Sequence, residues 1–277
     1  METRNAVQEL TTTTARADIT IEIGGVPVRL NTTDTSFLEM LRSRYAGFVT
    51  SGEHAKFDFD IALAQPKTLD PEADLCVTLN SGRWRVERGD FLAEFDPHLK
   101  NGRIRQSPNP YSIDAILRIL HTLLLAKEGG FLLHAASAIR NGKAFVFAGV
   151  SGAGKTTIAS LAPPDATLLT DEISYIRKEG NRYIAFGTPF TGELGKSGEN
   201  VSAPIAALYL LEKGPQNHIA SVTGAEASRA FLSNVLFFAE DQELVRSVFH
   251  SACEFVGQVP VCRLAFLPDS RVWEMFT

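Results

Sequence analysis

At 277 residues, 44% hydrophobic and 21% charged, the chain is long enough for one large domain or two with a real apolar core. A formal net charge of −5 supplies no basic field for nucleic acid or an anionic membrane, and no uncharged apolar run is long enough to span a bilayer. The opening Met1-Glu2-Thr3-Arg4-Asn5 lacks the features of a signal peptide, and three scattered cysteines make neither a disulfide framework nor a zinc site. Cys76, Cys253 and Cys262 are expected to be small buried residues in a reducing compartment, which makes the cytoplasm the expected location.

Up to about Ala17 the chain reads as a loose tail, most biased at Thr11 to Thr14. Ile19 to Ile23 alternates as a half-buried strand does, and Gly24-Gly25 turns it into a hairpin with Val26 to Leu30. Phe37, Leu38, Leu41 and Tyr45 follow at helical spacing, with Asp34, Thr35 and Ser36 as candidate N-caps. Four further strands are expected: Phe57 to Leu63, Leu75 to Leu79, Arg83 to Val86 and Phe91 to Phe95. Asp58 and Asp60 read as the wet face of the first of these. No catalytic constellation stands out in this part. The breaker cluster Ser107-Pro108-Asn109-Pro110 sets the expected boundary, with a small α+β domain over 1–106 and a second domain over 107–277.

Beyond the boundary, Ile113, Ile116, Leu117, Leu120, Leu123 and Leu124 mark one face of a helix that Gly129-Gly130 ends. His121 is expected as a packed or surface residue on it. Phe131 to Ile139 is an apolar strand carrying His134, and Asn141-Gly142 turns tightly into a second apolar strand, Ala144 to Ala148. There Gly149-Val150-Ser151-Gly152-Ala153-Gly154-Lys155-Thr156 fits G-x-x-x-x-G-K-[ST], the phosphate-binding P-loop. A helix start at Thr157 to Leu161 follows, stopped by Pro163-Pro164. A chance match would occur in roughly one chain of this length in a hundred, and the flanking strand and helix reduce that further. Gly149, Ser151, Gly152, Ala153, Gly154, Lys155, Thr156 and Thr157 are therefore the expected nucleotide contacts. Lys155, an exposed loop lysine on this reading, reaches the phosphates, and the Thr156 hydroxyl binds Mg²⁺.

The apolar strand Ala166 to Thr170 then delivers Asp171-Glu172, where a metal-binding acid sits in such proteins. Strands at Ile173 to Ile176, Tyr183 to Phe186, Ala206 to Leu211 and Val261 to Phe266 are expected. Helices are expected over Ala225 to Phe238 and Asp241 to Phe255, with a short helix from Asp269. Phe237, Phe238 and Trp273 read as core. The loop from Gly187 to Ser202 carries Glu193 and Lys196, and is either a mobile surface turn or a lid.

Leu-His-Ala-Ala-Ser-Ala one strand ahead of the loop, Gly-Val-Ser-Gly-Ala-Gly-Lys-Thr-Thr itself, and Leu-Leu-Thr-Asp-Glu after it together resemble the HPr kinase/phosphorylase family. They are similar also to the related phosphoenolpyruvate carboxykinases. The resemblance spans about Pro110 to Phe276. It implies an α/β fold, a P-loop kinase domain of the HPr kinase/phosphoenolpyruvate carboxykinase type with a mixed sheet and flanking helices, preceded here by the small α+β domain. It also implies roles: Lys155, Asp171 and His134 in catalysis, Asp171 as proton acceptor, and Thr156, Asp171 and Glu172 at the metal. The alternatives of a core histidine for His134 and a structural neighbour for Glu172 stay open. Gly187 to Lys196 stands where the HPr kinases carry a longer signature, so neither HPr as acceptor nor a phosphorylase activity is implied.

The function expected is ATP- and Mg²⁺-dependent transfer of the γ-phosphoryl group to a hydroxyl, on Ser or Thr of a peptide or small protein. Relatives of this shortened kind occur beside peptide-modification machinery, which suits a peptide acceptor. A small-molecule kinase and a non-catalytic nucleotide sensor are the alternatives. No nucleic-acid or membrane partner is expected, and a homo-oligomer is left open.

Overall fold

The computed structural model describes residues 16–51, 54–64 and 74–276. Two mixed sheets with flanking helices build the molecule. The first contains β1 (Ala17–Ile23), β2 (Val26–Thr32), β3 (Val49–Thr50), β4 (Phe57–Leu63), β5 (Cys76–Asn80), β6 (Arg83–Arg88), β7 (Phe91–Asp96) and β8 (Asn101–Gln106). Their spatial order is β3-β1-β2-β4-β8-β7-β6-β5, with β4 parallel to both β2 and β8. The crossover from β2 to β4 runs through helix α1 (Thr35–Arg44), which begins where the Asp34 carboxylate accepts the Phe37 N–H at 2.8 Å. Asp58 and Asp60 stand on the wet face as expected, half-buried and exposed. The expected tail, Thr11 to Thr14 included, lies outside the described residues as far as 15; Ala17 already belongs to β1.

The second sheet contains β9 (Phe131–Arg140), β10 (Lys143–Ala148), β11 (Thr167–Thr170), β12 (Ile173–Glu179), β13 (Arg182–Phe186), β14 (Ser202–Lys213), β15 (His218–Val222), β16 (Val235–Leu236) and β17 (Val261–Phe266). Its order is β10-β9-β12-β13-β14-β17-β15, and β10 pairs with β14 as well, so the sheet closes on itself. β9 is its spine, since β10, β11, β12 and β16 all pair with it. From Phe131 to Ala138 it is buried except at His134.

One face of this sheet packs under helices α2 (Pro110–Glu128), α4 (Gly224–Leu232) and α5 (Gln242–Gln258). Asn109 caps α2, Pro110 opens it, and Gly129 ends it in the left-handed conformation. The other face is covered by the short helix α3 (Lys155–Ser160) and the C-terminal 3₁₀ turn Ser270–Met275. Trp273, 2% exposed, donates its indole N–H to the Ile158 carbonyl at 3.0 Å and so holds α3 from behind. Phe237 and Phe238 are partly buried against the core.

The breaker cluster at 107–110 separates the two sheets in sequence, yet one apolar cluster runs from Ile19 through Leu117 and Tyr175 to Val261. At the junction, Asp114 on α2 is buried and accepts hydrogen bonds from the Arg44 guanidinium and the Tyr45 hydroxyl. Burial, then the Asp114 charge, pushes the Tyr45 phenol well above its ordinary value.

Several expectations need correction. The helix expected over Ala225 to Phe238 stops at Leu232, because the Asn234 amide donates to the Ala230 carbonyl and frees Val235–Leu236 to pair with β9. Four strands, β3, β8, β15 and β16, are additional. The cysteines are not buried: Cys76 opens edge strand β5 and Cys253 faces outward on α5, both exposed, while Cys262 is half-buried. Among the described residues, no helix is long and apolar enough to cross a membrane.

Candidate functional site

The glycine loop links β10 to α3, as the motif requires. Gly154, at φ +109°, sits where an added Cβ would lie 2.8 Å from the Phe266 ring, so only glycine fits this turn against β17. Lys155 is not an exposed lysine: it is 8% accessible and folds back over its own loop. Its ammonium donates to the carbonyls of Gly149 at 2.8 Å and Val150 at 3.3 Å. Burial lowers its pKa, while Glu172 and Glu193 pull it back up.

Opposite the loop, β11 and β12 run one after the other along β9, and Asp171-Glu172 is the break between them. Register pairs Ile173 with His134, and the Glu172 carbonyl accepts the Ala135 N–H at 2.9 Å. The Thr170 hydroxyl accepts the N–H groups of Glu172 and Ile173, both at 3.1 Å, which fixes the break. Asp171 is 2% exposed. One of its carboxylate oxygens accepts the Gly192 N–H and the other the Leu194 N–H, each at 2.9 Å. Glu172 is half-buried; burial raises its pKa, with Arg118 opposing the rise and Asp171 adding to it. Burial, then the Lys155 charge, pushes the His134 imidazole down from its ordinary value, which favours the neutral ring at neutral pH.

The segment from Gly187 to Ser202 is tied down along its length. Thr188 donates its N–H to the Leu169 carbonyl at 3.0 Å and its hydroxyl to the Ile173 carbonyl at 2.9 Å. Gly198 and Glu199 return N–H groups to Thr188 and Leu168, both at 3.0 Å, and Phe190 is fully buried. The Glu193 carboxylate accepts the Thr156 hydroxyl at 3.2 Å, while Lys196 points to solvent.

These elements enclose a cavity of about 260 Å³. Its walls bring together Ser151, Gly152, Gly154, Lys155, Thr156 and Thr157 from the loop, Asp171 and Glu172 from the break, and His134 from β9. Gly149 and Ala153 are not among the lining residues; they pack against each other, and a Cβ on Gly149 would lie 2.8 Å from that of Ala153.

The family model described as SynChlorMet cassette protein ScmC matches residues 110–276, more than half of the chain. The chain belongs to the ScmC family. Every residue of the cavity falls within the matched segment, and the first sheet lies ahead of it. Among solved structures, the HPr(Ser) kinase/phosphatase from Coxiella burnetii is similar at 14% identity, over 43% of this chain and 93% of that chain, with a TM-score of 0.25. No curated protein matches.

Three residues of this ScmC-family site carried no clear signal in the sequence. Glu193 was one member of an ambiguous loop. Lys213 lines the cavity because β14 runs parallel to β10 and extends three residues past Leu210, the partner of Ala148 at the end of β10. Arg118 reaches Glu172 from α2, with Nη2 3.5 Å from Oε2. Gly192 is the tightest point. A Cβ there would lie 2.8 Å from Asp171 Oδ2 and 2.9 Å from Glu172 Cβ. Gly192→Ala is therefore expected to leave the fold intact but lift the loop off Asp171, seen as faster amide exchange at Leu194.

Proposed function

We propose that this chain is an ATP-dependent kinase of the HPr-kinase-like class, transferring the γ-phosphoryl group to a Ser or Thr hydroxyl of a peptide or small protein. The observation that supports it is the convergence of Lys155 and Thr156 with Asp171 in one cavity, from segments that the motif and the family resemblance name separately. On this reading, the acceptor oxygen bonds to the γ-phosphorus as the bridging β–γ P–O bond breaks and ADP leaves with the electron pair. Asp171 takes the hydroxyl proton. Each Asp171 oxygen keeps a free lone pair after accepting one N–H, so the loop that anchors the carboxylate does not use it up. Lys155 turns from its loop carbonyls toward the phosphates, and neutral His134 can share the acceptor proton.

Thr156 and Asp171, with Glu172 beside them in the cavity, offer hard oxygens that would hold Mg²⁺, which when bound neutralises charge on the phosphates. Among the described residues no three or more His, Cys, Asp or Glu side chains form a ready-made metal cage.

Incubating the protein with γ-labelled ATP, Mg²⁺ and a cell extract tests the reading. A labelled peptide or protein is expected. Nucleotide binding with no labelled acceptor would turn the assignment into a sensor, and a labelled small molecule would change the acceptor class. Lys155→Ala is expected to weaken ATP binding by about 10-fold or more, the loss of a charge-assisted contact, while the melting temperature shows the chain still folded. Unchanged ATP affinity in the folded variant would remove the glycine loop from the site.

A further inference from the structure

Arg118 stands on α2, away from every motif, yet its guanidinium touches two parts of the site at once. Nη2 lies 3.5 Å from Glu172 Oε2, and the central carbon lies 4.9 Å over the ring of Phe190. Glu172 lines the cavity. Phe190, fully buried, roots the loop whose Gly192 and Leu194 N–H groups hold Asp171. Arg118 Nε is buried without a hydrogen-bond partner among the described residues. A fully formed Arg–carboxylate bond is about 2.8 Å long, so the contact with Glu172 has room to tighten.

We infer that Arg118 is a positioning residue, aiming the Glu172 carboxylate into the cavity and seating the loop from Gly187 to Ser202 on Asp171 through Phe190. Only the kinetic consequence rests on the kinase reading; the seating of the loop does not. The geometry suits arginine in particular. A planar guanidinium can offer its face to a ring and its edge to a carboxylate together, whereas an ammonium keeps only the charge. The helix that carries it is itself fixed: Asp114, one turn earlier, is gripped by Arg44 and Tyr45.

Arg118→Met and Arg118→Lys in the full chain test the inference by two routes. Amide exchange at Gly192 and Leu194 is expected to rise about 10-fold in Arg118→Met and less in Arg118→Lys. With γ-labelled ATP, Mg²⁺ and cell extract, Arg118→Met is expected to lower kcat about 10-fold, with KM for ATP within about twofold. On a Glu172→Gln background the same change should cost less than in the unsubstituted chain, because the part exerted through Glu172 is already lost and only the loop-seating part remains. Unchanged exchange in folded Arg118→Met would overturn the inference, as would losses that simply add to those of Glu172→Gln. If the unsubstituted protein labels nothing while Arg118→Met still frees the two amides, the kinase reading fails and the positioning role stands.

Discussion

Asp171→Asn is expected to lower phosphotransfer by at least about 10²-fold, the usual loss for a general base or a charge partner in a transition state. Two independent effects push the same way. The amide cannot take the acceptor proton. It also replaces one carboxylate oxygen by an NH₂ group, which must then face the N–H of either Gly192 or Leu194, donor against donor. The loop should therefore loosen at the end that faces the amide. Amide exchange at these two positions separates the effects: Gly192→Ala disturbs the loop and keeps the carboxylate, whereas Asp171→Asn disturbs both. If folded Asp171→Asn keeps wild-type turnover, the proton goes elsewhere and the proposed chemistry is wrong at its centre.

The second large effect concerns stability in acid. His121 is fully buried on α2, edge-on to Tyr175 at 5.3 Å, with no hydrogen-bond partner for either ring nitrogen among the described residues. Burial, helped slightly by the Lys56 charge, pushes its pKa from 6.5 to about 3. Between those two values the unfolded chain binds a proton that the folded one refuses, so stability falls as pH drops from about 6.5 toward 3. The slope approaches about 1.4 kcal/mol per pH unit, and the whole effect is on the order of 5 kcal/mol, comparable with the net stability of many domains. His121→Leu, close in volume, should remove this component and shift the acid unfolding midpoint to lower pH. Identical acid unfolding of the two proteins would show that the His121 ring is wetter than it stands here.

Where apolar side chains alternate or recur at helical spacing, the fold was legible: the hairpin at Gly24-Gly25, α2, the strand pair around Asn141-Gly142 and the buried strand β14 all follow their patterns. β8 was missed because Asn-Gly-Arg-Ile-Arg-Gln offers one large apolar residue. Its other buried positions are Gly102, packed so closely on Phe59 that a Cβ would meet the ring at 2.5 Å, and the polar Gln106. β15 was missed because an edge strand with a wet face has little apolar signal. At the site, the motif spacing pointed to the glycine loop and the end of an apolar strand pointed to the acid pair, and the structure brings both to one cavity. Lys213 and Arg118 come from elements chosen by packing, and no spacing within the chain announces them. The tie from Asp171 to the loop was hidden for a related reason: its donors are backbone N–H groups, which every residue but proline carries.

Asp114 lies inside the segment that the ScmC family model matches, whereas its partners Arg44 and Tyr45 lie outside it. A foreign first sheet grafted onto residues 110–276 could cover α2 with equally good apolar contacts and still fail, because a buried carboxylate without its guanidinium and hydroxyl costs roughly 3–5 kcal/mol. Residue 114 is thus free to change in a chimera or a lineage only together with residues 44 and 45. The two halves must be exchanged as a matched set, or with that triad rewritten to apolar residues in a single step.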